Sequence, residues 1–218
     1  MSYPWPKEGQ KLFKSGSYYQ IAHFGWGGQD SQFHGYIRGY KEAADNLVDL
    51  AIKSENIAVL DTYVFPIVFL YRQFLELSMK EIYLNYSEHS TEDKVKTIDK
   101  AGHNLLRIWN EIKPLIQEGC NSNDDDKTIK VVEDYINQFH AFDKTSFTFR
   151  YPITKKLAPT LDKEYRIDLL NLKQRIDELG HFFSGVDGQL DANKENKYEQ
   201  QKEFMEIIQQ NMWDEVGY

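Results

Sequence analysis

The sequence predicts an all-α protein: an up-and-down bundle of four to five core helices, with an N-terminal aromatic arm and an extra C-terminal helix. Three observations carry this reading. Residues 58–86 hold apolar side chains around most of a helical circumference. Amphipathic stripes at three- and four-residue spacing recur in the stretches before and after it. Period-two alternation is confined to Phe147, Phe149 and Tyr151 against Ser146, Thr148 and Arg150, a segment that then meets Pro152 and Pro159.

In chain order, residues 1–35 concentrate Tyr3, Trp5, Phe13, Tyr18, Tyr19, Phe24, Trp26 and Phe33 around the turn-forming Gly25, Gly27 and Gly28. They are expected to wrap the helical body as aromatic anchors; a stacking platform for a base at Trp26 and Tyr19 is the alternative. Tyr36, Tyr40, Ala43, Ala44, Leu47, Leu50 and Ala51 then specify one amphipathic helix, ending near Lys53. The central helix follows, with Pro66 expected to kink it or mark its start. Residues 87–101 are polar, a loop or short helix. Leu105, Ile108, Trp109, Ile112, Leu115 and Ile116 form the next stripe, closed by Gly119 and open to an early break at Pro114.

Ile129, Val132, Tyr135, Ile136 and Phe139 give a further helix. Residues 146–160 are extended chain over the bundle. Asp162 is read as the N-cap of a helix through Leu169, Leu172, Ile176, Leu179 and Phe183 that stops before Gly185. The tail, 185–218, reads as a Gly/Asp/Asn-rich joint and a helix with a thin stripe of Tyr198, Met205, Ile208 and Met212, docked on its own bundle or on another chain.

The 218 residues, 41% hydrophobic and 28% charged, suffice for one domain with a real core. A single cysteine, Cys120, excludes an intrachain disulfide framework and fits a reducing cytoplasm; its acidic, turn-like surroundings would not activate a thiol. There is no leader-like N-terminus and no run of 18 apolar residues, so no membrane association is expected. A net charge of −8 argues against a surface broadly suited to nucleic acid. His23 and His34 lack ligand-spaced neighbours, so neither a metal nor any other cofactor is assigned.

The central helix has one polar arc, Arg72, Gln73, Glu76 and Lys80, within about 100° at about 100° per residue. Such groups on a buried helix cost several kcal/mol unless partnered, so a neighbouring element, a second subunit or a ligand must lie along the arc. His103 is the candidate partner for Glu76, whose carboxylate would fix the imidazole ring.

Gln73-x-x-Glu76-x-x-x-Lys80, then Gly102-His103-Asn104-Leu105-x-x-x-Trp109, then Phe149-Arg150-Tyr151-Pro152 and a last core helix, in this order, resemble the HEPN superfamily across about residues 36–184. The resemblance implies a helical bundle. It also implies one of two roles: a metal-independent endoribonuclease, often a toxin or phage-defence effector with an Arg-x(4–6)-His motif from each half of a dimer, or a binding or scaffold partner that has lost the motif. If Arg150 holds the motif arginine, Lys155, Lys156 and Leu157 stand where the histidine belongs. Arg175 and His181 also match the pattern, but about 120° apart on the helix, so only a two-fold dimer could bring them onto one phosphate. Otherwise Arg175 pairs with Glu178, and His181 ends the helix.

Arg150, Lys155 and Lys156 make the most basic stretch and the expected phosphate-binding patch. The expectation is therefore a homodimerising binding or scaffold module in a prokaryotic defence or toxin–antitoxin setting, with a protein partner such as an antitoxin. The alternatives are a ribonuclease using Arg150, Arg175 and His181 on RNA, and a nucleotide-binding sensor.

Overall fold

The computed structural model describes residues 3–212 except 124, and the backbone of 213–216. These residues form α1 (Gln29–Lys53), α2 (Ile57–Tyr86), α3 (Thr91–Ala101), α4 (Leu105–Gly119), α5 (Lys127–Phe142) and α6 (Leu169–Val216), with one 3-10 turn at Tyr18–Gln20. The all-α bundle expected from the sequence is what forms. No strand occurs among the described residues; the alternating segment folds as a turn and a loop closed by a single antiparallel bridge between Ile153 and Pro159.

Helix starts are set by local chemistry. The side chains of Asn56, Ser90, Asn104 and Asp126 accept hydrogen bonds from the first free amides of α2, α3, α4 and α5, each worth about 1 kcal/mol. At α6 this role falls to Asp168, which accepts from the Asn171 amide at 2.9 Å, and not to Asp162, which instead takes a hydrogen bond from the Tyr165 hydroxyl. The helix thus begins six residues later than the Asp162 cap would place it.

α2 is the axis of the bundle and touches α1, α3, α4 and α6. Ile67, Tyr71, Leu75, Met79 and Ile82 are buried against Ala44, Val48, Leu105, Ile108, Trp109, Ile112, Ile176, Leu179 and Phe183. Neither Pro66 nor Pro114 breaks its helix: buried Ile112 and Ile116 flank Pro114, and Pro66 is followed by buried Ile67 and Val68 and preceded by Tyr63 and Val64, which are partly buried against the core. α2 is also long and apolar enough to cross a bilayer by length and composition alone. From Ile67 onward its inner face is buried in the bundle, with Arg72 and Glu76 enclosed on it.

Two sequence expectations fail here. The joint expected at 185–197 does not exist: α6 runs 48 residues without interruption, about 72 Å at about 1.5 Å per residue. Gly185 and Gly188 each cost roughly 1 kcal/mol in a helix. Val186 and Leu190 are nevertheless buried, extending the 3,4-spaced seam of Ile176, Leu179 and Phe183 by two positions. Packing outweighs propensity.

The N-terminal arm does not wrap the bundle. Residues 3–28 are exposed throughout, and α1 begins at Gln29 inside the segment assigned to the arm.

Gly119, expected only as a helix stop, has a different reason to be glycine. A Cβ there would lie 2.1 Å from a Leu190 methyl, so α6 crosses α4 at this point, and Asn193 Nδ2 donates to the Gly119 carbonyl at 2.7 Å. Gly185 faces open space. Gly119→Ala should therefore lower stability by about 1–3 kcal/mol, whereas Gly185→Ala should raise it by up to about 1 kcal/mol. Urea denaturation of the two variants checks both signs.

Candidate functional site

The polar arc of α2 faces inward and is fully engaged. Arg72 has 0% exposure and Glu76 2%. Arg72 Nη1 donates to Glu76 Oε2 at 2.8 Å, Nη2 donates to the His103 carbonyl, and Nε lies 3.5 Å from Asp143 Oδ2. Lys80 Nζ donates to the other Glu76 oxygen at 2.8 Å, and His103 Nδ1 lies 2.9 Å from that same oxygen. One turn earlier, Gln73 Nε2 donates to Ser146 Oγ at 2.9 Å.

Local folding places each partner. Gly102 adopts φ +54°, which lets the chain turn between α3 and α4 and present His103 to α2. Asp143 closes α5, and its Oδ1 accepts the Phe147 amide at 3.1 Å, which folds 143–148 into a tight turn and buries Ser146. Arg72 therefore joins three chain segments: α2, the turn before α4 and the turn after α5.

Burial acts to raise the Glu76 carboxyl, but hydrogen bonds from Lys80 and His103 outweigh it and hold the group below its ordinary value. His140, beside Arg72 and Lys144, is pushed down by burial and by those two cations. Arg72 and Lys80 balance Glu76 and Asp143. The expected Glu76–His103 contact is present, and the partner along the arc is the chain's own backbone and side chains.

Asp143 and Ser146 were not singled out by sequence reasoning. The signal was there: an aspartate at a helix C-terminus opposes the helix dipole, so it marks a site where a cation must lie nearby.

The remaining candidates are dispersed. Arg150 is exposed, its guanidinium 5.4 Å from the Tyr151 ring centre, on the rim of a 320 Å³ concavity beside Phe65. Lys155 and Lys156 are exposed in the loop that the Ile153–Pro159 bridge closes. Arg175 is half-buried and paired with Glu178 at 2.8 Å, as the i,i+3 spacing suggested. His181 lies mid-helix, not at a helix end, on a 550 Å³ groove between α1, α2 and α6 with His34, Lys41, Asp45, Glu81 and Asp177. Arg150 and His181 thus line separate depressions within one chain.

In that groove Lys41 bridges Asp45 at 2.8 Å and Asp177 at 2.5 Å. Those hydrogen bonds override burial and raise its ammonium. Glu81 is pushed up to about 7 by burial and by the nearby Asp187 and Asp30. Among the described residues no cluster of His, Cys, Asp and Glu could hold a metal ion. Cys120 is half-buried, and burial pushes its thiol up.

Comparison with family models, with curated proteins and with solved structures returned no match.

Two measurements probe these charges. Arg72→Met leaves the buried Asp143 without its cation and Glu76 with Lys80 alone, and should cost about 3–5 kcal/mol. His103→Ala should cost only about 1 kcal/mol, because Arg72 holds the His103 carbonyl, which survives the change. Since Glu76 is depressed when folded, its share of stability is present above about 4.5 and is lost as pH falls, a loss that Glu76→Gln removes. Thermal melts from pH 3 to 8 read all three variants. Glu81 is the opposite case: its folded value lies above its unfolded one, so it lowers stability as pH rises from about 4.5 through about 7. Glu81→Gln should melt with wild type at pH 5 and above it at pH 8, by roughly 1 kcal/mol once solvent screening is discounted.

Proposed function

We propose that the chain is a HEPN-like binding or scaffold module of the prokaryotic cytoplasm, acting in a defence or toxin–antitoxin setting, that self-associates through the free half of α6. The observation that carries this reading is the tip of that helix. Tyr198, Met205, Ile208 and Met212 are all exposed, and their spacing of seven, three and four residues is the seam of a two-stranded coiled coil. Beyond Leu190 the helix continues for about 39 Å. A helix of this length with an uncovered apolar seam is stabilised by a second helix laid along it.

The polar residues that carry the family resemblance support a binding role over a catalytic one. Arg72, Glu76 and His103 are consumed in holding the bundle together. Arg150 and His181 are apart in the protomer, and Arg175 is neutralised by Glu178.

Light scattering behind size exclusion should give twice the chain mass for the wild type and the chain mass for the Met205→Glu/Ile208→Glu double variant. Labelled RNA incubated with the wild type in EDTA should stay intact. Cleavage that disappears in His181→Ala or Arg150→Ala would replace the scaffold reading with a nuclease. A rise in melting temperature on adding nucleotides would replace it with a sensor.

A further inference from the structure

The groove between α1, α2 and α6 runs along its helices: its lining reaches from Asp177 to Asp187 of α6, about 15 Å at about 1.5 Å per residue. Two cations lie on it, and each is spent on carboxylates of its own. Lys41 is shared by Asp45 and Asp177, and Arg38 is taken by Glu42. Glu81 has no such partner. It makes no hydrogen bond or ion pair, and the charges that act on it, Asp187 and Asp30, share its sign. Asp187 accepts the Tyr86 hydroxyl at 2.6 Å, a neutral donor that leaves its charge in place.

Crowded carboxylates alone mean only repulsion. Ser78 adds a different observation. It stands three residues before Glu81 on the same face of α2, is 5% exposed and opens into the groove, yet its hydroxyl has no hydrogen bond within the chain. A helical serine ordinarily bonds the carbonyl one turn back, and a buried hydroxyl left without a partner is costly. Ser78 Oγ and the Glu81 carboxylate are thus two neighbouring acceptors for which the chain supplies no donor. The wall beside them is apolar, made by the buried Phe74, Ile82 and Phe183. Gly180 keeps that wall open, since a Cβ there would meet Lys41 Cε at 3.3 Å and Phe74 Cζ at 3.5 Å.

We infer that this groove binds a linear polyamine, whose ammonium groups donate to Glu81, Asp187 and Ser78 Oγ while its methylenes lie on Phe74, Ile82 and Phe183. Among the described residues the carboxylates and imidazoles do not converge on one point, so the lining does not suit a metal ion. Separate acceptors joined by an apolar wall match separate N–H donors joined by methylenes. The 550 Å³ of the groove falls within the size of small-molecule sites, about 300–1,000 Å³. Arg38 and Lys41 against Glu42, Asp45, Glu81, Asp177 and Asp187 leave the lining negative, the sign that draws in a polycation.

The test is equilibrium dialysis of labelled spermidine against the full-length chain at about pH 8, where Glu81 is ionised, and roughly 0.15 M salt, which screens loose surface attraction. Saturable binding of one molecule per chain is expected. Glu81→Gln should weaken it about tenfold or more and Ser78→Ala about threefold, the loss of a charged and of a neutral acceptor. Both variants should fold, because one removes repulsion and the other a hydroxyl that bonds nothing. Glu92→Gln, on α3, should bind as the wild type does. So should the Met205→Glu/Ile208→Glu chain, which reads this site apart from α6 pairing. Weakening in Glu92→Gln equal to that in Glu81→Gln reduces the effect to net charge and overturns the inference. Equal affinity for n-butylamine, which carries one ammonium, overturns the polyamine assignment, and displacement of spermidine by equimolar magnesium gives the groove to a metal ion instead. Absence of saturable binding overturns it outright.

Discussion

The fold depends on what surrounds one guanidinium. Arg72 lies in the middle of the most apolar helix of the chain, where an unpaired cation would cost several kcal/mol. Its donors reach Glu76 on the same helix, the backbone at His103 and the end of α5 at Asp143. Apolar packing brings helices together without fixing their rotation, whereas these bonds admit one arrangement. The turn at Gly102 and the turn at Asp143 take up their shapes because they complete the coordination of this side chain.

Much of this was legible in the sequence. The apolar periodicity of 64–84 identified α2, and the interruption of that periodicity by Arg72, Gln73, Glu76 and Lys80 identified where the bundle is polar inside. The His103 partner was legible because a glycine precedes it and an amphipathic stripe follows. Asp143 and Ser146 were hidden by the alternating Phe147, Phe149 and Tyr151, which read as extended chain; the competing signal, a helix-ending aspartate that organises the next turn through its own carboxylate, is local and lacks periodicity. The joint at Gly185 was misplaced for a related reason. Glycine lowers helix propensity wherever it stands, but only the position of Leu190 opposite Gly119, a contact across 71 residues of sequence, reveals that the helix must continue.

The distribution of polarity separates the middle of the protein from its ends. The interior network is electrically balanced, though the buried Asp143 Oδ2 faces Arg72 Nε at 3.5 Å without a hydrogen bond of its own. By contrast, the arm and the tip of α6 carry large apolar side chains into water, Tyr19 at 95% exposure and Met205 at 63%.

The crossing of α6 over Gly119 has a mechanical corollary. There the two backbones are held so close that the contact works as a pivot, with the buried limb of α6 from Leu169 to Leu190 on one side and, past the Lys197–Glu88 ion pair, about 28 Å of exposed helix on the other. A rocking of about 10° at that fulcrum would sweep the far end, about 39 Å away, through roughly 7 Å, a little more than the rise of one helical turn. Any strain that shifts the buried limb is thus amplified at the tip.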